Sequence, residues 1–293
     1  MLDYGSIMEV VLISNLVTDF VGELSRSGKS QYTLVAYKKD LEQFCDSLLS
    51  QGKTDINQVE RFDIENFIKI LIEQKNYTKK SASRKLNSIR TFFRYLKTGG
   101  RVMNNPAGDI SHPKYEQVAP RILSKLEYRG LRDISKDDPR TFAIIELLLQ
   151  TGMKIGELAS LRLEDIKPTT LAIKSNKLYS REVPLNKAAS NALKEYLRIR
   201  PPFPDTCVFI TRTGRPMLIR NIRQIINRCF LDIGISGATV NDLRNTFIAH
   251  QLTNGSNLEY IAKIVGHRRL SSTERFLNLV KQEAEKREKL GEL

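Results

Sequence analysis

The sequence predicts a mainly α-helical fold in two domains, with one small β-hairpin. Three observations carry that prediction. Four segments in the first hundred residues repeat apolar side chains at helical spacing, a proline-bearing stretch without periodicity follows, and a second, larger set of helical segments is interrupted by two short strands. At 293 residues the chain is long enough for two domains, each with its own core.

Taken in order, Ile13, Leu16, Val17, Phe20, Val21 and Leu24 mark the first helix, which Gly28 closes. Leu34, Tyr37, Leu41, Phe44 and Leu48 mark the second, ended by Gly52, and Ile64, Phe67, Ile68 and Leu71 mark the third. The fourth sets Ala82, Leu86, Ile89, Phe93 and Leu96 on one face, with Gly99-Gly100 after it. Four amphipathic helices with short polar joints predict a small bundle over residues 1–110. The fourth helix also carries Arg84, Lys85, Arg90, Arg94 and Lys97, which taken alone read as a solvated face. From Ser111 to Pro120 the apolar periodicity is lost, and residues 111–121 read as a linker extended around its prolines.

The second domain, 122–293, opens near Ile122. Phe142, Ile144, Ile145, Leu147, Leu148 and Leu149 are too uniformly apolar for a surface helix and predict the buried centre of this domain. Thr151-Gly152 ends that helix. Residues 171–177 and 181–185 read as a hairpin with a polar turn, and further helices are expected over 187–199, 218–232, 240–253 and 256–265. Asn254-Gly255 separates the last two.

Charge is the informative total. Lys+Arg number 47 against 33 Asp+Glu, a net charge of +14, and the pI is near 9.7. Such a surplus points to a polyanionic partner, because Lys and Arg laid against phosphates release counterions. Cys45, Cys207 and Cys229 are far apart and match neither zinc nor redox spacing, so they read as buried or incidental thiols of an intracellular protein. No stretch is apolar long enough to span a bilayer, and the start is acidic where a signal peptide would be basic. A cytoplasmic, nucleoid-associated protein without metal or cofactor is the expectation.

The stretch from Thr239 through Asn241-Asp-Leu-Arg244 and on to Val265-Gly266-His267 and Phe276 resembles the signature end of the tyrosine recombinases and phage-type integrases, especially the Xer-like ones. Thr151-Gly-Met-Lys154-Ile-Gly-Glu157-Leu158 and Lys85-Leu-Asn-Ser-Ile-Arg90-Thr-Phe-Phe-Arg94 are similar to two further motifs of that family, so the resemblance covers nearly the whole chain. It implies an N-terminal four-helix, SAM-like core-binding domain and a C-terminal catalytic-type domain with a small sheet, closing as a C-shaped clamp around double-stranded DNA. It also turns Arg84, Lys85, Arg90, Arg94 and Lys97 toward phosphate contacts.

Cleaving DNA without a metal requires a nucleophile, cations that neutralise the scissile phosphate, and an acid for the departing oxygen. The resemblance assigns these roles to six positions. Lys154 stands where the family has its first arginine, and lysine keeps the charge but gives up the planar fork. Lys174 matches the hairpin lysine best, with Lys177 as the second candidate. Asn241 replaces a histidine and cannot shuttle a proton near neutral pH; its plain alternative is a helix cap or first-turn residue. Arg244 is retained for phosphate contact, against a salt bridge to Asp242 or Glu259, and His267 is a site residue by its Val-Gly-His context. Phe276 occupies the place of the nucleophilic tyrosine, and residues 277–293 contain no tyrosine. Tyr260 reads as packing, and Tyr179 is an outside candidate nucleophile.

These changes predict a DNA-binding Xer-like homologue that does not cleave unaided. The alternative is an active recombinase, working through a 3'-phosphotyrosyl link, seen as a Tyr-to-Phe variant or using another nucleophile. The partners expected besides DNA are further copies of this chain or an active recombinase paralogue in an oligomer on DNA. Lys281 to Leu290 resembles a tail that relatives donate to a neighbouring subunit, or is a solvated end.

Overall fold

The computed structural model describes residues 13–116, 118–175 and 179–288. The chain divides into two compact units, Met1–Gln117 and Val118–Leu293.

The first unit is built from α1 (Ile13–Arg26), α2 (Gln31–Leu49), α3 (Arg61–Glu73) and α4 (Lys79–Thr98), with a short 3-10 turn at Ile56–Gln58. Gly28 and Gly52 take φ of 78° and 75°, left-handed conformations that a side chain resists, just past the ends of α1 and α2. Ser30 and Thr78 accept from the backbone N–H of Thr33 and Ser81 and so start α2 and α4. The core is aromatic: Phe20, Phe44, Phe67, Phe92 and Phe93 are all buried, with ring pairs 5.2 to 6.5 Å apart. α4 packs on the other three helices.

The second unit carries α5 (Lys125–Ser135), α6 (Pro139–Thr151), α7 (Ile155–Ala159), β1 (Thr170–Ser175), β2 (Tyr179–Pro184), α8 (Lys187–Ile199), α9 (Ile219–Asp232), α10 (Val240–Thr253), α11 (Leu258–Val265) and α12 (Ser271–Glu288). As its composition predicts, α6 is the centre: Ala143, Ile144, Ile145 and Leu147 are fully buried, and α5, α7, α8, α9 and α10 all pack against it. β1 and β2 pair antiparallel from Thr170↔Pro184 to Ser175↔Tyr179, so Leu171, Ile173, Arg181 and Val183 share one face. The periodicity of the sequence does not mark α5. Its core contribution is small, with Leu131 buried while Leu126 is 81% exposed. Its start is set by a capping box in which Ser124 accepts from Glu127 N–H and Glu127 accepts from Ser124 N–H. α10 is buried along most of its length, from Asp242 to Ala249, which suits a helix wedged between α6 and α12.

Cys45, Cys207 and Cys229 are buried and unpaired. No helix among the described residues is long and apolar enough to cross a membrane.

Candidate functional site

The second unit brings the ends of α6, α10 and α11 to one place. Gly152 closes α6 with φ of 62°, and a Cβ there would sit 2.3 Å from the Phe247 ring, so both conformation and close approach require glycine. Its carbonyl accepts from Arg244 Nη1 at 2.6 Å, while Arg244 Nη2 donates to the Val265 carbonyl at 2.7 Å. Arg244 is 5% exposed. Burial pulls its pKa down to about 10, with Glu157 opposing and Arg181 adding to the effect, so the guanidinium stays charged at neutral pH. The salt bridges to Asp242 or Glu259 offered by the sequence are not the partners it takes; two main-chain carbonyls are.

Lys154 precedes α7. Its N–H donates to Glu157 Oε2 at 2.8 Å, and its ammonium lies 3.9 Å from Glu157 Oε1. Its pKa lies below the ordinary lysine value, chiefly through burial, with Arg244 and Arg181 adding their charge and Glu157 opposing. Glu157 is gripped by Arg181 through two hydrogen bonds of 2.9 and 2.7 Å. Burial alone would push this carboxyl up, but those bonds, the Lys154 N–H and the nearby cations hold it below the usual range.

His267 follows Gly266, which ends α11 in the left-handed region at φ 71°. The His267 Nδ1 lies 2.8 Å from Thr273 Oγ1, and Thr273 is fully buried. Burial, then the charges of Arg244, Arg275, Lys154 and Arg181, drive the imidazole pKa down to about 4, so the ring is neutral at physiological pH. A cleft of about 880 Å³ is lined by Lys154, Arg181, Lys263, His267, Arg268 and Arg269. Lys154 also borders an adjoining cavity of about 490 Å³ that contains Arg223, Asn227, Asn241 and Arg244. A cleft so dense in cations, with a neutral imidazole at its wall, is suited to a phosphodiester.

The sequence-predicted residues divide. Lys154, Asn241, Arg244 and His267 line these two cavities, which share Lys154. Asn241 is exposed, in the first turn of α10 after the Thr239 cap, as its plain alternative predicts. Lys174 is elsewhere: it forms ion pairs with Glu164 at 2.9 Å and Asp165 at 2.7 Å and lines a separate cavity. The hydrogen bond to Asp165, then that to Glu164, raises its pKa. Lys177 lies outside the described residues. Phe276 is fully buried in the core, with the Arg275 guanidinium 5.2 Å from its ring centroid. Tyr179 pairs with Ser175 at the start of β2. The expectation that Tyr260 packs inward is corrected: it is 53% exposed, because α11 turns Ile261, Ala262, Ile264 and Val265 to the core instead.

In the first unit, the basic residues of α4 do not form one surface row. Lys85 is 3% exposed, 2.9 Å from Asp40, with Tyr77 beneath its ammonium, so its charge is committed inside the bundle, away from where a phosphate contact was expected. Arg84 pairs with the same buried Asp40 while its side chain stays 53% exposed. Arg90 donates to the carbonyls of Ala107 and Ile110 and contacts His112. Arg94 and Lys97 are exposed.

Sequence reasoning missed Arg181, Glu157, Lys263, Arg268 and Arg269. Arg181 left one signal: in the hairpin it falls opposite Ile173, on the apolar face, where an arginine needs a buried partner. Among the described residues, no group of three or more His, Cys, Asp or Glu could hold a metal ion.

Similarity to known proteins extends over both units of the chain. Residues 115–283 match the Phage integrase family, and residues 17–100 match the phage integrase N-terminal SAM-like domain. A tyrosine recombinase XerC of Thermodesulfovibrio yellowstonii is 32% identical over 274 residues, covering 88% of this chain and 89% of that protein. A tyrosine recombinase XerD of Listeria monocytogenes is 29% identical over 284 residues, covering 92% and 95%. Among solved structures, a lambda integrase (75-356) dimer bound to a COC' core site has a TM-score of 0.73 at 16% identity, covering 89% of this chain and 97% of that one, a likeness of fold. The chain belongs to the phage integrase family, the tyrosine recombinases, proteins of DNA recombination. Within that family it is Xer-like, and both of its domains are the family's own.

Proposed function

We propose that this protein binds duplex DNA at a preferred site and does not cleave it unaided, acting as an accessory subunit, a regulator or an occluder of sites used by an active relative. The observation that carries the reading is Phe276, which stands where the family's nucleophile belongs and is fully buried in the core. A phenyl ring has no atom with which to attack a phosphate. Lys154 and Asn241 support the same conclusion, one lacking the bidentate fork that grips a phosphate and the other lacking a titratable proton. Binding is supported by the cationic cleft around Lys154 and Arg269, by the net charge of +14, and by the DNA held in solved relatives of the same fold.

Mixing the purified protein with fragmented DNA from its source, then recovering fragments once under native conditions and once after boiling in detergent, tests both halves. The expected result is a native pool sharing one sequence and an empty boiled pool. Fragments that survive boiling reveal a covalent link and overturn the loss of cleavage; a native pool without a shared sequence overturns site preference.

A further inference from the structure

Two guanidinium groups that are far apart in the sequence meet the end of α11. Arg181 Nε donates to the Ile264 carbonyl at 2.5 Å, and Arg244 Nη2 donates to the next carbonyl, Val265, at 2.7 Å. The last carbonyls of a helix have no partner within it, so these two donors complete α11 immediately before His267. Arg181 has a second grip: its Nη1 and Nη2 hold both oxygens of Glu157, three residues after Lys154. It also packs so closely on Gly266 that a Cβ there would lie 3.1 Å from its guanidinium. The planar guanidinium places donors on three nitrogens, two matching the carboxylate side by side and the third reaching the carbonyl; a lysine ammonium has its three donors on one nitrogen and cannot reproduce the bidentate grip.

We propose that Arg181 is the positioning residue of the cleft, fixing Lys154 and His267, which both line it, relative to each other so that they hold one phosphodiester. The proposal rests on the DNA-binding reading for its ligand but on Arg181's own contacts for its geometry. Arg181 acts through Glu157, the Ile264 carbonyl and Gly266. Its side chain is 12% exposed, and its charge is matched by Glu157, which leaves the open wall to Lys154, Lys263 and Arg269.

The test compares the unaltered chain with Arg181→Lys, which keeps the charge and removes the fork. With only three histidines in the chain, each imidazole Cε1–H resonance is assignable by replacing His112, His250 and His267 singly with Gln. In folded Arg181→Lys, shown by a cooperative melt, the His267 resonance is expected to move while those of His112 and His250 stay. Affinity for the DNA recovered in the selection is expected to fall about tenfold, the scale of coupling within one polar network. The slope of log affinity against log salt should hold, because the number of cations is unchanged. An unmoved His267 resonance in a folded variant overturns the proposal, as does a DNA affinity equal to that of the unaltered chain. Should Arg181→Lys fail to fold, Glu157→Gln weakens the same pair without changing shape and is read by the same resonance. If the unaltered chain binds no DNA, the DNA-binding reading fails, and the His267 resonance still decides the positioning role.

Discussion

Arg244 Nη2 and the Val265 carbonyl are 2.7 Å apart, which ties α10 to the last turn of α11 across 21 residues of sequence. Together with its bond to Gly152, this makes Arg244 a buried brace as well as a wall of the candidate site. Arg244→Ala leaves two inward carbonyls without that donor. The expected loss is about 2–4 kcal/mol of stability, read by calorimetric unfolding, and the folded fraction should bind DNA more weakly. An unchanged melt would show that the brace contributes nothing, and an unchanged binding curve would remove Arg244 from the site.

Phe276 is fully buried, so Phe276→Ala opens a core cavity and should cost about 3–5 kcal/mol, measured by denaturant titration. Phe276→Tyr is expected to yield no detergent-stable DNA adduct, because Lys154 and Asn241 still lack the phosphate fork and the proton shuttle. Appearance of an adduct in that single variant would show that the nucleophile alone had been missing.

His267 has its pKa driven from 6.5 down to about 4, so the folded state favours the neutral ring. Between those values the unfolded chain binds a proton that the folded chain does not, and stability therefore rises with pH there. This contribution is fully present above pH 6.5 and is lost as pH falls toward 4. His267→Gln should flatten that part of the stability profile measured by thermal melts from pH 4 to 7. A profile unaltered by the replacement would place the dependence on other groups.

Asp40 is 1% exposed and receives Lys85, Arg84 and Ser88. Asp40→Ala strands the buried Lys85 ammonium, and the cost is expected to be about 3–5 kcal/mol. Replacing both, as Asp40→Ala with Lys85→Met, should recover much of it. A double variant no more stable than the single one would mean that the ion pair is not the source of the loss.

The order and type of the elements were legible in the sequence because amphipathic helices write their buried face into local spacing. The lines Ala82, Leu86, Ile89, Phe93, Leu96 in α4 and Ile144 to Leu149 in α6 are buried where that spacing put them. α5 was not legible, since only Leu131 and Ser135 of its residues are buried and its start depends on a cap. Tyr260 was misplaced because it lies just outside the buried stripe of a short helix, where the step of about 100° from Ile261 turns it to the surface.

By itself the sequence determined the family frame, the basic balance, and the absence of a tyrosine hydroxyl at residues 276–293, because these depend only on which residues occur and in what order. Tertiary structure alone decided which charges are committed. Lys85 reads as a phosphate-facing cation and Lys174 as the hairpin lysine of the site, yet one lies on Asp40 and the other between Glu164 and Asp165. Arg181, whose place on the apolar face of the hairpin signals a buried partner without naming it, joins Glu157, 24 residues before it, to Ile264, 83 residues after it. Such pairings follow from chain segments brought together by burial of their apolar faces, and no local pattern of charges records which partner will be within 3 Å.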